Sequence, residues 1–163
     1  MTRKIPDTIS EEELLRIIKI TKKKSHKVAY LLGFYQCLRV SEICKLQKKD
    51  IDMVRGFLHI KQAKGNKDRD IPIMEKVKHH LRYIPIGIGA RALERAIKRH
   101  SKKAIDKDIH PHTLRHSGAS YYLNEKGIDI RYIKDLLGHS KIATTDIYVH
   151  TNPANLKRAF ENT

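Results

Sequence analysis

The sequence predicts a mostly helical domain with one small antiparallel β-sheet, an α+β fold. Apolar residues recur at helical spacing through most of the 163 residues. They alternate in the manner of strands only between Gly56 and Ile73. A chain of this length forms one domain of ordinary size and buries about two-thirds of its unfolded surface.

The first two helices are predicted from a cap and from an apolar run. Ser10 and Glu13 have the spacing of a capping box, which predicts a helix that extends to about Lys22. The basic residues 22–27 are expected to form a connector. The run 28–35 is apolar on nearly all sides and predicts the central buried helix.

Arg39 directly follows this central helix, where a solvated residue would be easier to place. Ser41 is predicted to cap a second short helix from Glu42 to Leu46. The sequence leaves two roles open for Arg39. It forms either a structural ion pair or a contact with a ligand.

A β-hairpin is predicted between Leu58 and Ile73, because apolar residues alternate on both sides of a Gly-Asn turn. Lys64 lies near the tip of this hairpin, and Pro72 suits an edge strand. Three cations would project from the ribbon: Lys64, Lys67 and Arg69. The alternative is an ordinary solvated edge that lysines protect from pairing.

Further helices are predicted from apolar spacing and from capping residues. Asp129 and Gly138 are the expected first and last caps of one of them. The predicted helices are Glu75 to Tyr83, a segment around 93–100 with a basic outer face, Pro111 to about Gly127, Ile130 to Leu137 and Pro153 to Phe160.

The charge balance predicts an anionic polymer as partner. Lysine and arginine total 34 against 18 acidic residues, a net charge of +16, and nucleic acid is the commonest partner of such proteins. A generally cationic protein, such as a ribosomal one, is the alternative. The basic residues are spread along the chain, which argues against a membrane-surface helix. With no run of ~18 apolar residues and no secretory signal, a cytoplasmic, nucleoid-associated protein is expected.

The two cysteines, Cys37 and Cys44, do not form a C-x-x-C motif and cannot build a zinc site alone. Buried, reduced thiols are expected. The sequence contains no evident acidic cluster, so no metal and no other cofactor is predicted.

The segment 110–148 combines groups that suit an attack on a phosphodiester. His112 and Arg115 form an H-x-x-R motif, His139 follows in L-G-H, and Tyr148 lies nine residues later. Tyr148 can act as the nucleophile and form a phosphotyrosine. A phenol is about three pKa units too weak an acid at neutral pH, so it needs a nearby base and cations.

The remaining chemistry can be assigned to cations and imidazoles. Arg39 and Arg115 can each make two-pronged contacts with phosphate oxygens. His112 lies on the same helix face as Arg115 and can share a proton with the phosphate or the tyrosine. His139 can donate a hydrogen bond to a phosphate oxygen, and Lys64 can protonate the leaving 5′ oxygen. This route needs no metal.

Five motifs occur in an order that resembles the catalytic domain of the tyrosine recombinases, the Xer and phage integrases. They are LRVSE from Leu38, KGNKDRDIP from Lys64, PHTLRH from Pro111, LLGHS from Leu136 and TTDIY from Thr144. The resemblance implies the catalytic-domain fold of that family and site-specific recombination of double-stranded DNA. It implies that the 3′ phosphate is transferred to Tyr148, that a 5′ hydroxyl is released, and that ATP is not needed.

The resemblance also implies site residues. The catalytic set would be Arg39, Lys64, His112, Arg115, His139 and Tyr148. Glu42 is expected to orient or support a neighbour. His116 matches the motif but is expected to pack or to support a neighbour. Candidate DNA contacts are Lys67, Arg69 and Arg91.

Family members usually carry an N-terminal helical domain that clamps the other face of DNA. Residues 1–163 are expected to form a single catalytic domain that lacks this core-binding half. The terminal helix, Pro153 to Phe160, resembles the segment that family members dock onto a neighbouring subunit. A homotetramer assembled on DNA is therefore expected, with a monomer possible in isolation.

Three alternatives remain open. Asp129 to Leu137 followed by another helix would suit a helix-turn-helix regulator, in which Tyr148 is only packed. A type IB topoisomerase would share the tyrosine chemistry. The pair His112 and His116, four residues apart, would suit a metal site if a third ligand joined it.

Overall fold

The computed structural model describes residues 7–62, 67–138 and 153–163, so Lys64, His139 and Tyr148 lie outside the described residues. The helices in these ranges are α1 (Glu11–Ile20), α2 (Lys24–Tyr35), α3 (Val40–Lys45), α4 (Glu75–Lys78), α5 (Ala90–Ile105), α6 (Pro111–Ser120), α7 (Ile130–Leu137) and α8 (Pro153–Phe160). The strands are β1 (Ile51–Asp52), β2 (Phe57–Ile60) and β3 (Arg69–Pro72). The predicted fold class is confirmed.

Helix α1 begins with the predicted capping box. The hydroxyl of Ser10 accepts a hydrogen bond from the backbone N–H of Glu13 at 3.1 Å, and the Glu13 carboxylate accepts one from Ser10 N–H at 3.0 Å. These bonds satisfy N–H groups that the first turn leaves without helical partners. Leu14 and Ile17 then enter the core, and the helix ends at Ile20, short of the predicted Lys22.

The predicted basic connector over residues 22–27 is wrong for residues 24–27, because α2 begins at Lys24. Lysine is a good helix former, and His26 is buried within this stretch. Residues 24–27 therefore form the first turn of α2, and the His26 side chain packs that turn into the protein.

The predicted cap of α3 is also wrong. Arg39, not Ser41, occupies the N-cap position, and the helix begins at Val40. The carboxylate of Glu42 accepts a hydrogen bond from the backbone N–H of Arg39 at 2.8 Å. Because this side chain caps the terminus from inside the first turn, the serine hydroxyl is not needed there.

The sheet is antiparallel with strand order β1-β2-β3. The predicted antiparallel pairing of the two hairpin strands is confirmed, with Leu58 opposite Ile71 and Ile60 opposite Arg69, while the predicted Gly-Asn turn lies outside the described residues. Pro72 lies on an edge strand, as expected. The short strand β1 was not predicted, because two residues carry too little alternation to be recognised.

The core forms where α2 packs against α6. Phe34 of α2 and Leu114 of α6 are buried there. A Cβ atom placed on Gly118 would lie 1.8 Å from the carbonyl oxygen of Phe34. Only glycine permits this close approach of the two helices. The approach brings Arg115 of α6 against the turn that follows α2.

The helix predicted from Pro111 to Gly127 changes form at its end. After α6, the residues Tyr121–Glu125 form a π-helical turn, in which Lys126 N–H donates to Tyr121 O at 3.1 Å. This wider turn lets two consecutive side chains, Tyr121 and Tyr122, both enter the core. Similarly, the helix predicted from Glu75 to Tyr83 becomes a 3₁₀ helix after Lys78.

The predicted caps of α7 are confirmed. The Asp129 carboxylate accepts a hydrogen bond from Arg131 N–H at 2.8 Å, and Gly138 has a left-handed φ of 68°. Of the two cysteines, Cys37 is buried and Cys44 half-buried. Among the helices of the described ranges, none is long and apolar enough to cross a membrane.

Candidate active site

Three of the predicted catalytic residues lie in the described part of the chain. Arg39 caps α3, while His112 and Arg115 lie on α6. The structure brings these three together, since the charges of Arg39 and Arg115 both act on His112 and the charge of Arg39 acts on Arg115. The other three, Lys64, His139 and Tyr148, fall outside the described residues.

Arg115 is buried, with 3% of its surface exposed. Its Nη1 donates to the carbonyl oxygen of Cys37 at 2.6 Å, and its Nη2 donates to the carbonyl oxygen of Leu137 at 2.8 Å. Cys37 has a left-handed φ of 51°, and its carbonyl oxygen meets the guanidinium in the turn between α2 and α3. Arg115 thus connects this turn to the end of α7.

The Arg115 guanidinium stays charged at neutral pH despite its burial. Loss of water, followed by the nearby charge of Arg39, lowers the pKa of Arg115 to about 10, against the opposing effect of Glu42. A guanidinium carries more N–H donors than its two carbonyl bonds use. Arg115 can therefore also contact an anion.

Arg39 is more accessible than Arg115, with 38% of its side chain exposed. Its Nη1 lies 3.1 Å from Oε1 of Glu42. The Glu42 carboxylate therefore orients the Arg39 side chain, more than a third of which remains exposed to solvent. This geometry suits a contact with an incoming phosphate.

Glu42 is shared between two arginines. Arg69 Nη1 donates to Oε1 of Glu42 at 2.8 Å, and Arg69 Nη2 donates to Oε2 at 3.2 Å. Burial alone would raise the pKa of Glu42, but the hydrogen bonds and charges of Arg69 and Arg39 together hold that pKa below its ordinary value. Glu42 is therefore an ionised, buried carboxylate between the guanidinium groups of Arg39 and Arg69.

The prediction that Arg69 projects outward from the ribbon is wrong. Only 11% of its side chain is exposed, and its Nε donates to Leu136 O at 3.2 Å. Its register gives the reason: Arg69 pairs with the buried Ile60 and precedes the buried Ile71 by two residues. Alternation along the strand places Arg69 on the inner face, a signal that was present in the sequence.

The two other candidate contacts, Lys67 and Arg91, are exposed. Arg91 lies in the first turn of α5. Their role in binding remains a prediction.

His112 and His116 are exposed, and their rings pack edge to face with centroids 4.4 Å apart. Partial burial, followed by the charges of His116, Arg115 and Arg39, lowers the pKa of His112 below its ordinary value. A neutral imidazole can accept a proton, so His112 suits the role of a base at neutral pH.

The metal alternative required a third ligand beside His112 and His116. Across residues 7–62, 67–138 and 153–163, no group of three histidine, cysteine, aspartate or glutamate side chains is placed to hold a metal ion. The described part of the chain therefore gives this alternative no support.

The sequence model of the phage integrase family matches residues 7–84 and 88–155. A tyrosine recombinase of Thermosipho africanus is 37% identical over 166 residues, which cover 91% of this chain and 58% of the relative. The chain therefore spans less than two-thirds of that relative's length.

Two solved structures give the same fold. The crystal structure of XerA recombinase has a TM-score of 0.75 and 30% identity, and the match covers 98% of this chain and 66% of that one. A lambda integrase tetramer bound to a Holliday junction has a TM-score of 0.66 and 21% identity, and covers 89% of this chain and 50% of that one.

Proposed function

The chain belongs to the phage integrase family, and we propose that it breaks and rejoins double-stranded DNA in site-specific recombination. The observation that carries this proposal is the convergence of Arg39 and Arg115. The Arg115 guanidinium bonds the carbonyl of Cys37, two residues before Arg39, and the Arg39 charge acts on Arg115 and His112. Two guanidiniums in one place suit the charge of a single phosphodiester.

In the proposed reaction, the phenolic oxygen of Tyr148 attacks the phosphorus of the scissile phosphodiester. A bond forms between this oxygen and phosphorus while the bond from phosphorus to the 5′ oxygen breaks. His112 accepts the phenolic proton, and Lys64 donates a proton to the leaving 5′ oxygen. The product is a 3′-phosphotyrosine and a free 5′ hydroxyl.

The charges on the phosphate are neutralised by fixed cations. Arg39 and Arg115 bind the non-bridging oxygens, and His139 donates a hydrogen bond to one of them. The phosphotyrosine retains the energy of the phosphodiester, so the 5′ hydroxyl of a second strand can attack it in the reverse chemistry. Neither a metal nor ATP takes part in this scheme.

DNA as the partner is supported by the net charge of +16, because lysine and arginine side chains bind phosphates with release of counterions. Lys67 and Arg91 are the proposed phosphate contacts outside the active site. This partner would keep the protein with the nucleoid in the cytoplasm. A homotetramer on DNA is proposed by analogy with lambda integrase, whose tetramer binds a Holliday junction.

The proposed function is tested with a nicked suicide duplex, in which cleavage releases a short fragment and traps the covalent adduct. The products are separated under denaturing conditions, with and without EDTA. We expect an adduct that forms equally in EDTA and that disappears in Tyr148→Phe, while DNA binding by this variant persists.

The regulator and the metal-dependent enzyme each predict a different result. A helix-turn-helix regulator would bind the duplex and give no adduct. A metal-dependent enzyme would lose its cleavage in EDTA. An adduct that persists in Tyr148→Phe would contradict the assignment of the nucleophile.

A further inference from the structure

We infer that Arg69 is a positioning residue, whose guanidinium holds together the separate chain segments that carry the proposed catalytic groups. This inference rests on the proposed function, because those groups are assigned there. It concerns a residue that the sequence suggested only as a DNA contact. The side chain is placed to act on other protein groups and not on DNA directly.

The first contact of Arg69 is with Glu42. The pair is bidentate, with Nη–Oε distances of 2.8 and 3.2 Å, and Glu42 in turn accepts hydrogen bonds from the backbone N–H and the Nη1 of Arg39. A planar guanidinium fixes the plane and the rotation of the carboxylate that it grips. The orientation of Arg39 therefore depends on Arg69 through Glu42.

The second contact is with the end of α7. Arg69 Nε donates to Leu136 O at 3.2 Å, and Arg115 Nη2 donates to Leu137 O at 2.8 Å. Two guanidiniums thus bind successive carbonyl groups at a helix C-terminus, where such groups lack helical partners. The chain reaches His139 two residues after Leu137.

Gly138 shows how closely Arg69 approaches this terminus. A Cβ atom on Gly138 would lie 2.8 Å from Cζ and from Nη1 of Arg69. Its left-handed φ of 68° also favours glycine. The helix end and the guanidinium therefore fit together as one unit.

The third connection is through the backbone of Arg69 itself. Arg69 is the first residue of β3 and lies five residues after Lys64 in the sequence. One residue thereby joins the strand that follows Lys64, the carboxylate that orients Arg39 and the helix that precedes His139. An active site needs such groups in fixed relation, since a displacement of ~1 Å can cost about 100-fold in rate.

An ordinary buried ion pair would stabilise the fold and have no particular effect on catalysis. The two roles differ in what Arg69→Gln changes. A positioning residue affects the cleavage step in folded protein that is saturated with DNA. A purely structural ion pair affects only the fraction of protein that is folded.

The test measures single-turnover cleavage of the nicked suicide duplex at saturating protein for Arg69→Gln, Arg69→Lys and the control Arg82→Gln. Circular dichroism determines the folded fraction of each. Arg82→Gln removes the same charge from an exposed arginine outside the candidate site, whose Cζ lies 5.0 Å from the centroid of the Tyr83 ring. Because all of the duplex is bound at saturating protein, the measured cleavage rate does not depend on the affinity of each variant for DNA.

We expect Arg69→Gln to cleave about 100-fold more slowly than wild type, as for a misplaced catalytic group. Arg69→Lys should be intermediate, because lysine keeps the charge and loses the bidentate geometry. Arg82→Gln should cleave at the wild-type rate. The inference is wrong if folded Arg69→Gln cleaves at the wild-type rate. If Arg69→Gln does not fold, Arg69→Lys replaces it, and a wild-type rate for that variant overturns the inference.

A pH profile gives a second readout that a structural role would not change. Within the described residues, the charged groups that act on Glu42 are Arg39 at the N-cap of α3, Arg69 on β3 and Arg115 on α6. Without Arg69, burial should raise the pKa of Glu42, so cleavage should begin to fall at a higher pH than in wild type. The double variant Arg69→Gln/Glu42→Gln should cleave only slightly more slowly than Arg69→Gln alone, since the two residues act as one unit.

The outcomes separate the two proposals. A wild-type protein that binds DNA and gives no adduct overturns the proposed function and this inference with it. A wild-type protein that gives the adduct, beside Arg69 variants with unchanged rate and pH profile, overturns the inference alone.

Discussion

The guanidinium of Arg115 donates a hydrogen bond to the carbonyl oxygen of Cys37, with a distance of 2.6 Å between Nη1 and O. Cys37 lies in the turn between α2 and α3 in a left-handed conformation, with φ 51°, and Arg39 follows two residues later. The relative placement of the two arginines therefore depends on how closely α6 approaches α2. Gly118 sets that approach.

We expect Gly118→Ala to destabilise the fold by about 3 kcal/mol, because an added methyl group would overlap a backbone that cannot move aside cheaply. The new Cβ would lie 1.8 Å from Phe34 O and 3.0 Å from Cys37 Sγ. Urea denaturation measures the change in the free energy of unfolding.

Gly89→Ala is the matched control, since a Cβ at Gly89 meets nothing within 4 Å. Gly89→Ala should lower the free energy of unfolding by much less than Gly118→Ala does. Equal effects of the two substitutions would contradict the close approach of α2 and α6.

Glu42→Gln should lower the free energy of unfolding by about 3 kcal/mol at neutral pH, since it leaves buried guanidinium charge without its partner. The sign of the pH dependence follows from the lowered pKa of Glu42. The stability from the ionised carboxylate is complete above its ordinary pKa of 4.5 and is lost as the pH falls through the lower pKa of the folded state.

The difference between wild type and Glu42→Gln should therefore shrink as the pH is lowered below 4.5. Urea denaturation at a series of pH values measures it. Glu75→Gln is the control, because Glu75 is 86% exposed in a 3.8 Å pair with Lys78 and should change stability by about 0.5 kcal/mol or less. A difference that stays constant with pH would show that the Glu42 charge is not responsible.

The imidazole of His116 should influence the titration of His112. Beyond partial burial, the His116 charge is the first of the interactions that lower the pKa of His112. His116→Gln removes that charge, so the pKa of His112 should rise towards its ordinary value of 6.5. NMR titration of the His112 ring protons measures this, with His112→Gln used to assign the signal.

His59→Gln serves as the comparison, since His59 lies on the sheet and bonds Asp70 and Asp68. It should leave the His112 titration unchanged. An unchanged or lowered His112 pKa in His116→Gln would contradict the arrangement of the two rings.

The fold could be predicted from the sequence where a short-range signal determines it. Ser10 and Glu13 gave the start of α1, and Asp129 and Gly138 gave the ends of α7. The start of α3 could not be predicted in this way, because its cap comes from Glu42, which is fixed by tertiary contacts. The π-helical turn after α6 depends on burying Tyr121 and Tyr122 together, which helical periodicity does not express.

In the candidate site, too, the sequence motifs identified some residues, while tertiary contacts determined the placement of others. The motifs identified Arg39, His112 and Arg115, and the structure brings these side chains together. They did not reveal the inward direction of Arg69, because its basic character suggested a solvent-facing cation. The alternation with Ile71 on the same strand face was the better guide, since strand geometry outweighs residue type when a carboxylate such as Glu42 lies within reach.

We propose that one tyrosine, Tyr148, carries the covalent link to DNA. To locate this link, the adduct is isolated from the suicide duplex and digested with nuclease and trypsin, and the residue that carries the remaining nucleotide is identified by mass spectrometry. Trypsin cuts after Lys141 and Lys157, which yields a peptide of residues 142–157 with Tyr148 as its only tyrosine. We predict that the nucleotide mass is found on Tyr148 of this peptide. Its presence on any other residue would contradict the account.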